Sequence, residues 1–510
     1  MSTVVIIEAT GKKNTLEALL KASDFPHVIH PVCVLATKGH VCRLPQDQPA
    51  LDNYGHMTRT CVDPARRTEI ATIRRAAEKA KSIVIATDDD DEGNVIARDV
   101  ALHALSPKQT FWRCRLRALD RQSLVHALTQ AICMTPSEAD ADAQSGDVRR
   151  LVDYAIGFGL SKSVEKYRIP VGRVFSSTLM EISQKTPEKG LQTIIAPAQD
   201  GGAPFLATIK SGIKQFFPEI PALSVQKNLE TTGIPAWNYK DAVSAIATKT
   251  KTSVADVNAS LQRTYEHGLA SYPRTYSSTI STSGLDACQA IANRHGASFT
   301  RPQQIYGTKN RGAHEAIRPT LAASLEQRTI NDLDATTALM IARQAIRSGQ
   351  EYLIEIPDHT KLPLEIRATG AVFSRVTLRG FLGWKEPKGS EWQPWANDVA
   401  LLNFLAENDL GRPGTWSRHI NRLLQRGVLT DALQLSRLGA LYASTAAECG
   451  FSSNTSQKIE HLIASLEPRE AGAATIEILR ESLPSHAFEE TRVALNTTES
   501  TLLADYQITP

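Results

Sequence analysis

Acidic side chains after an apolar run are the strongest chemical signal in the chain. Residues 83–87, Ile-Val-Ile-Ala-Thr, read as a buried strand, and Asp88, Asp90 and Glu92 follow directly. Alternate residues of an extended segment point the same way, so the three carboxylates are predicted to face one ligand. Grouped carboxylates repel one another unless a cation neutralises them, and hard oxygen ligands suit Mg²⁺. The alternative interpretation is a solvated acidic turn.

Glu8 holds the same position after another apolar run, residues 4–7. Lys12 follows it, just before a segment whose leucines recur at helical spacing. Strands that alternate with helices predict a parallel sheet whose carboxyl ends form a ligand site, so Glu8 and the acidic cluster are expected to converge there. Lys12 is a candidate phosphate contact at a helix start, and otherwise an ordinary surface lysine.

A second group of candidates lies near the middle of the chain. Ser253 is a predicted helix N-cap, and Gly268 is a predicted C′ residue at the end of the same helix. Tyr272 and Arg274 follow in a Tyr-Pro-Arg segment. From spacing alone, Tyr272 is expected to be a buried or capping tyrosine, and Arg274 is as compatible with a surface ion pair as with a phosphate contact.

The composition predicts a multidomain globular protein. The chain has 510 residues, enough for about three to four domains, and 57 basic against 54 acidic residues, so any nucleic-acid surface must be local. Its seven cysteines include no CxxC pair, which indicates reduced thiols. No apolar run approaches the ~18 residues of a membrane span, and no secretory signal is visible, so a cytoplasmic location and no membrane partner are expected.

The motifs together resemble a known family. Glu8, Gly39-His40 and the Asp-x-Asp-x-Glu-Gly pattern at 88–93 resemble the Toprim fold of topoisomerases, primases and some nucleases. Further segments resemble type IA DNA topoisomerase motifs, in family order and closest to the bacterial topoisomerase I/III type. They are residues 149–153, 172–174, 268–275, 313–320 and 411–416. The cysteine-rich C-terminal zinc modules of many relatives are absent from the sequence.

The resemblance implies a multidomain α/β fold with α and β subdomains, in which a parallel-sheet Toprim domain is part of a toroid. The predicted domains are Toprim at 1–135, a helical single-strand-binding domain at 136–190 and 399–470, a β-rich arch at 191–245 and 355–398, a helical domain with the tyrosine at 246–354, and a tail of unknown role at 471–510.

The resemblance also implies an activity. Tyr272 attacks one DNA strand and forms a 5′-phosphotyrosine, with catalytic help from Arg274, Glu8, Lys12 and His314. Mg²⁺ is held by Asp88, Asp90, Glu92 and Glu8. The candidate DNA-binding residues are Arg149, Arg150, Arg173, Arg318, Arg412, Thr415, Arg418 and Arg422. The covalent bond conserves phosphodiester energy, so ATP is not expected, and the sequence has no GxxxxGK[ST] loop.

Several points stay open at this stage. The resemblance implies single-stranded and negatively supercoiled DNA as partners. It also implies a nucleoid-associated monomer that relaxes or decatenates DNA. Asp91 and Asn94 replace the usual Arg and Glu of the acidic motif, and Asp91 is expected either to tighten metal binding or to face water. Arg418, Arg422 and Arg426 form either a DNA-binding stripe or a solvated helix face, and Trp416 is expected to pack rather than stack a base. A Toprim nuclease or primase and a catalytically impaired DNA-binding relative are the rival functions.

Overall fold

The structure is a computed structural model that describes residues 2–45, 47–161, 171–232, 234–300, 314–325, 332–378, 392–467 and 470–497. The motif residue Ala313 and parts of the predicted helical, arch and tail domains lie outside these ranges. Within them, no helix is both long and apolar enough to cross a bilayer.

The first unit combines a mostly parallel sheet with helices. Its strands are β1 (Thr3–Ile7), β2 (Val32–Ala36), β3 (Cys42–Arg43), β4 (Cys61–Val62), β5 (Ser82–Asp88), β6 (Phe111–Leu116) and β7 (Ile132–Met134), and its helices are α1 (Lys13–Ala22), α2 (Arg67–Ala77), α3 (Asp91–Ala104) and α4 (Arg121–Thr129). All of these elements fall inside the predicted range 1–135.

The sheet has the strand order β2-β1-β5-β6-β7. The first four strands are parallel, as predicted, whereas the short edge strand β7 runs antiparallel to β6. Every residue of β1 is buried, because helices and loops cover both faces of a central parallel strand. The adjacent strands β1 and β5 end at the same edge, which brings the residues after them together.

Helices follow the sheet unit. They are α5 (Ala139–Ala155), which continues into a π turn (Ile156–Leu160), then α6 (Arg173–Gln184), α7 (Tyr239–Thr250), α8 (Val254–Glu266), α9 (Thr282–Arg294) and α10 (Leu333–Ser348). The predicted ends of α8 are confirmed: the Ser253 hydroxyl accepts a hydrogen bond from the Asp256 amide at 3.0 Å, and Gly268 has a φ of 70°.

Two small antiparallel sheets lie in the region predicted as the arch. One contains β8 (Gly190–Ala196), β9 (Phe205–Ser211) and β13 (Trp392–Pro394), and the other contains β10 (Val225–Thr232), β11 (Glu351–Pro357) and β12 (Arg375–Leu378), with the short helix α11 (Leu364–Arg367) between β11 and β12. The predicted domain boundary at 354/355 falls within β11. The domain divisions stay predictions.

The C-terminal part is helical and forms cores with earlier elements. It comprises α12 (Asn397–Glu407), α13 (Pro413–Gln425), α14 (Arg437–Glu448), α15 (Thr455–Ala464), α16 (Ala471–Ser482) and α17 (Ser485–Leu495). The described part of the tail, residues 471–497, contains α16 and α17. Their apolar faces, including Ile478 and Leu495, pack into one core with Leu151 of α5.

Candidate active site

The edge of the sheet forms a buried charged centre, as predicted. Lys12 Nζ lies 2.9 Å from Glu8 Oε1 and 2.5 Å from Asp88 Oδ1, and the lysine side chain has no solvent exposure. The alternative of a surface lysine is therefore wrong. The 3-10 turn at Thr10–Lys12 directs the lysine inward, and one ammonium group bridges the carboxylates of two neighbouring strands.

The three acidic residues do not point one way, because the extended conformation ends at Asp90. Asp90 is the N-cap of α3, and its Oδ1 accepts a hydrogen bond from the Gly93 amide at 2.7 Å. Glu92 lies in the first helical turn with its side chain 58% exposed. Gly93 is required here, since a Cβ at this position would lie 2.2 Å from the Asp88 carbonyl oxygen.

Tyr272 reaches this centre from a segment 182 residues further along the chain. Its hydroxyl donates a short hydrogen bond to Asp90 Oδ2, and its side chain is almost completely buried. Its amide donates to the Arg117 carbonyl at 2.8 Å, which attaches the tyrosine segment directly to the sheet unit. Tyr276 instead donates to the Gly411 carbonyl at 3.1 Å. The geometry therefore favours Tyr272 over Tyr276 as the reactive phenol.

Arg274 and His314 line the same phenol. The Arg274 side chain lies near Gly414 at the start of α13, where a Cβ on that glycine would lie 3.4 Å from Arg274 Cδ, and its Nη1 lies 3.9 Å from Glu92 Oε2. The His314 ring lies 4.8 Å from the Tyr272 ring, between centroids. His314 Nδ1 is buried and has no hydrogen-bond partner among the described residues. Arg274 is close enough to the phenol to lower its pKa, and the His314 ring packs against the Tyr272 ring. Their catalytic roles stay predictions.

Tyr265 belongs to the site, and the sequence reading missed it. Its hydroxyl donates to Asp88 Oδ1 at 2.6 Å, its ring packs edge-on against Tyr272, and Lys12 Nζ lies 4.9 Å from its ring centroid. The helical spacing of α8 indicated only a core residue. No pattern in the sequence states that the buried end of this helix meets Asp88.

Burial and proximity shift the proton affinities of these groups. Burial and the neighbouring Glu8 carboxylate raise the pKa of Asp88 well above its usual value. Burial acts in the same direction on Glu8 and is the largest single effect, but Lys12, Asp88 and Arg274 together outweigh it and lower the pKa of Glu8 to about 2. Burial opposes protonation of Lys12, yet Asp88 and Glu8 raise the pKa of its ammonium group. Lys12 is therefore a cation between two carboxyl groups, of which Glu8 ionises more readily than Asp88.

The phenol and the imidazole are both held neutral. Burial, then Asp90 and Asp88, raise the pKa of Tyr272 well above its usual value, while Arg274 partly opposes this. Burial lowers the pKa of His314, against the opposing effect of Asp89 and Asp90. Tyr272 thus needs a base or a change of surroundings before it can attack.

The predicted metal site is only partly assembled. The donors are the hard carboxylate oxygens that Mg²⁺ prefers, but no three acidic, histidine or cysteine side chains of the described residues are grouped closely enough to hold an ion. Lys12 takes the position between Glu8 and Asp88. The residues fit an ion bound by one or two carboxylates together with a substrate phosphate, which is the usual arrangement for Mg²⁺.

The two departures in the acidic motif are paired with arginines. Asp91 accepts hydrogen bonds from Arg149 and Arg412, so its charge is paired within the protein. Its effect on metal binding stays a prediction. Asn94 Oδ1 accepts from Arg113 Nη2 at 2.8 Å.

The candidate DNA-binding residues differ in their surroundings. Arg149, Arg173 and Arg412 are joined by ion pairs near the acidic motif, and the Thr415 hydroxyl closes a capping box with the Arg412 backbone. Arg150 Nη1 is buried without a hydrogen-bond partner in the described part of the chain. Arg318 differs from the prediction, since its guanidinium is buried against Glu315 and Asp120 and braces the protein interior.

The basic stripe on α13 is exposed. Arg418, Arg422 and Arg426 face outward, while Ile420 and Leu423 are buried on the opposite side. Leu424, next to the buried Leu423, is 38% exposed. Trp416 is buried and donates to the Leu410 carbonyl at 2.8 Å, so it packs, as expected.

Comparison with known proteins defines the class. Residues 3–115 match the Toprim domain family. A DNA topoisomerase 1 from Synechocystis sp. is 23% identical over 91% of this chain and 62% of its own length, and one from Vibrio cholerae is 24% identical over 71% and 48%. A reverse gyrase from Pyrococcus furiosus is 23% identical over 72% of this chain and 33% of its own length. The chain thus spans between about a third and three-fifths of these relatives.

A solved structure shares the whole fold. Full-length topoisomerase I from Thermotoga maritima superposes with a TM-score of 0.62 at 16% identity, over 97% of this chain and 90% of that one. The chain is therefore a multidomain protein built on an N-terminal Toprim domain. Its fold is that of a type IA topoisomerase, which confirms the resemblance drawn from the sequence motifs.

Proposed function

We propose that the protein is an ATP-independent type IA DNA topoisomerase. In this proposal it cleaves one strand of DNA through a 5′-phosphotyrosine at Tyr272, passes a strand through the break and reseals it, and so relaxes negatively supercoiled DNA. The observation that carries the proposal is the hydrogen bond from the Tyr272 hydroxyl to Asp90. It joins the predicted nucleophile to the acidic centre that the sequence placed on a different part of the chain.

In cleavage, the Tyr272 oxygen attacks the scissile phosphorus, and the bond from phosphorus to the 3′-oxygen breaks. The phenol must lose its proton, and Asp90 is the group that already accepts it in a hydrogen bond. Arg274, beside the phenol, is placed to bind the phosphate and offset the charge that develops on its oxygens. A 3′-hydroxyl is released, and the phosphodiester energy is kept in the phosphotyrosine bond.

The leaving 3′-oxygen needs a proton, and Lys12 is the proposed donor. It is a charged ammonium held by Glu8 and Asp88 at the bottom of the site. Glu8, whose pKa is lowered to about 2, stays ionised and holds Lys12 in place. When the strand is resealed, the proton of the 3′-hydroxyl returns to Lys12, and Asp90 returns its proton to the leaving Tyr272 oxygen. His314 is neutral and its ring packs at a tilt beside that of Tyr272, and its buried Nδ1, which has no partner among the described residues, is proposed as a further hydrogen-bonding group for the phosphate.

Mg²⁺, bound by Asp88 and Asp90 with Glu8 or Glu92 in support, would supply positive charge that aligns the 3′-hydroxyl with the phosphate for resealing. Single-stranded DNA is the proposed substrate of the cleavage step, and the exposed arginines of α13 are proposed to follow its backbone.

The test is capture of the covalent adduct on a 5′-labelled and a 3′-labelled single-stranded oligonucleotide. The wild-type protein should become labelled by the 3′-labelled oligonucleotide, because the fragment joined through its 5′-phosphate carries that end. Tyr272→Phe should bind the oligonucleotide without forming any adduct. Tyr276→Phe is the matched control and should form adduct normally. Cleaved DNA without adduct would indicate a nuclease, and binding without cleavage by the wild type would indicate an impaired relative.

A further inference from the structure

Asp91 joins three separate elements through its carboxylate. It lies at the first position of α3, where its Oδ2 accepts from Arg149 Nη1 at 2.8 Å and from Arg412 Nη1 at 2.7 Å. Arg149 belongs to α5, and Arg412 is the N-cap of α13. This contact connects the Toprim domain to two helices of the C-terminal and central parts of the chain.

Glu460 of α15 binds the same arginines from the other side. It accepts from Arg149 Nη2 at 3.2 Å, from Arg412 Nε at 2.8 Å and from Arg173 Nη1 at 2.7 Å. Arg173 is also paired with Asp153 at 2.7 Å. The cluster therefore contains three arginines and three carboxylates and carries no net charge.

We propose that Asp91 is a built-in competitor for the DNA phosphate at this arginine cluster. Carboxylate and phosphate bind guanidinium groups through the same charge-assisted hydrogen bonds, so a phosphate of the DNA backbone can take the place of a carboxylate. Asp91 and Arg412 keep 29% and 33% of their side-chain exposure, whereas Glu460 keeps 15% and Arg173 5%. Asp91 is thus the outer partner that the phosphate displaces, and Glu460 is the inner partner that holds the arginines in place.

The inference rests on the proposed function, and it assigns a purpose to the departure at position 91. An acidic residue there, in place of the arginine of the resembling family, removes positive charge where a DNA strand is expected to approach. Each phosphate contact must then be formed at the expense of an internal ion pair. Binding should therefore be weaker and less dependent on salt than the number of arginines would suggest.

The experiment measures binding of a fluorescently labelled oligothymidylate by anisotropy, in EDTA, with Tyr272→Phe present in every protein so that no covalent capture occurs. Asp91→Asn keeps the size of the side chain and removes its charge. It should bind roughly three- to tenfold more tightly at low salt, because two partly exposed ion pairs no longer compete. The slope of log affinity against log salt should steepen by up to about 0.7.

Two further variants make the outcome specific. Asp91→Glu keeps the charge and should bind as weakly as the parent protein. Asp334→Asn removes a carboxylate that pairs with Arg263 on a different surface, with 23% side-chain exposure, and should leave affinity and slope unchanged. Unchanged or weaker binding by Asp91→Asn, or an equal gain in Asp334→Asn, would overturn the inference. Adduct formation by the protein with native Tyr272 tests the proposed function separately, so either conclusion can fail alone.

Discussion

The most direct probe of the buried centre is Lys12→Met, which keeps most of the side-chain volume and removes the ammonium group. Lys12 has no solvent exposure and holds Glu8 and Asp88 at hydrogen-bonding distance. Without it, two carboxylates remain buried beside each other. Removing one partner of a buried ion pair costs about 3–5 kcal/mol of unfolding free energy. The melting transition of the Toprim domain should then fall on the order of 10 °C.

The loss should depend on pH in a defined direction. Burial and Glu8 already raise the pKa of Asp88, and Lys12 opposes this shift, so its removal raises that pKa further. A carboxyl group whose pKa is raised on folding contributes stability below its unfolded pKa and loses that contribution as the pH rises through its folded pKa. Lys12→Met should therefore be most destabilised near pH 8 and least destabilised near pH 5.

Thermal melting in EDTA at both pH values measures the effect. Lys13→Met is the matched control, because Lys13 is 43% exposed and lies 3.9 Å from Glu17, so its loss should change unfolding free energy by less than about 0.5 kcal/mol. A loss in Lys12→Met that is no greater than in the control, or that grows as the pH falls, would refute the account of the buried centre.

Three more outcomes are expected. Tyr265→Phe removes the donor to Asp88 and should cost roughly 1.5–3 kcal/mol by urea unfolding, while DNA binding stays intact; an unchanged midpoint would contradict this. Asp88→Asn, or EDTA with the wild-type protein, should leave adduct on single-stranded DNA but no relaxed plasmid on gels, because resealing is expected to depend on the metal more than cleavage does; relaxation at the normal rate would contradict it. Gly93→Ala should lower the melting temperature, since its Cβ would meet the Asp88 carbonyl, and normal stability would show that the turn can relax.

Local signals in the sequence predicted the elements that position the site. The apolar runs before Glu8 and Asp88 became adjacent strands, and Ser253 and Gly268 mark the ends of α8 as expected. These features depend on neighbouring residues, so a single sequence contains them. The placement of Tyr272 came from motif order, because no local pattern states which distant residues meet.

Long-range pairing explains what the sequence could not predict. The role of Tyr265 depends on how α8 packs against the sheet, and the partners of Asp91 come from helices far along the chain. Arg318 is a candidate DNA contact because it lies in a segment that resembles a topoisomerase motif, yet Glu315 and Asp120 neutralise it inside the protein. The spacing of charged residues in a sequence does not distinguish a side chain that is paired inside the protein from one that binds a ligand.

The tyrosine segment is attached to the Toprim domain by main-chain contacts as well as by its side chain. The Tyr272 amide bonds to the Arg117 carbonyl, and Ala118 forms an isolated bridge with Ser271. In the proposed reaction, a tyrosine that carries a cut strand away from its acidic partner pulls on this same pair of backbone links. Widening the break in the DNA and breaking these two backbone contacts are then a single movement. The contacts form again only when the tyrosine returns to the position from which the strand is rejoined.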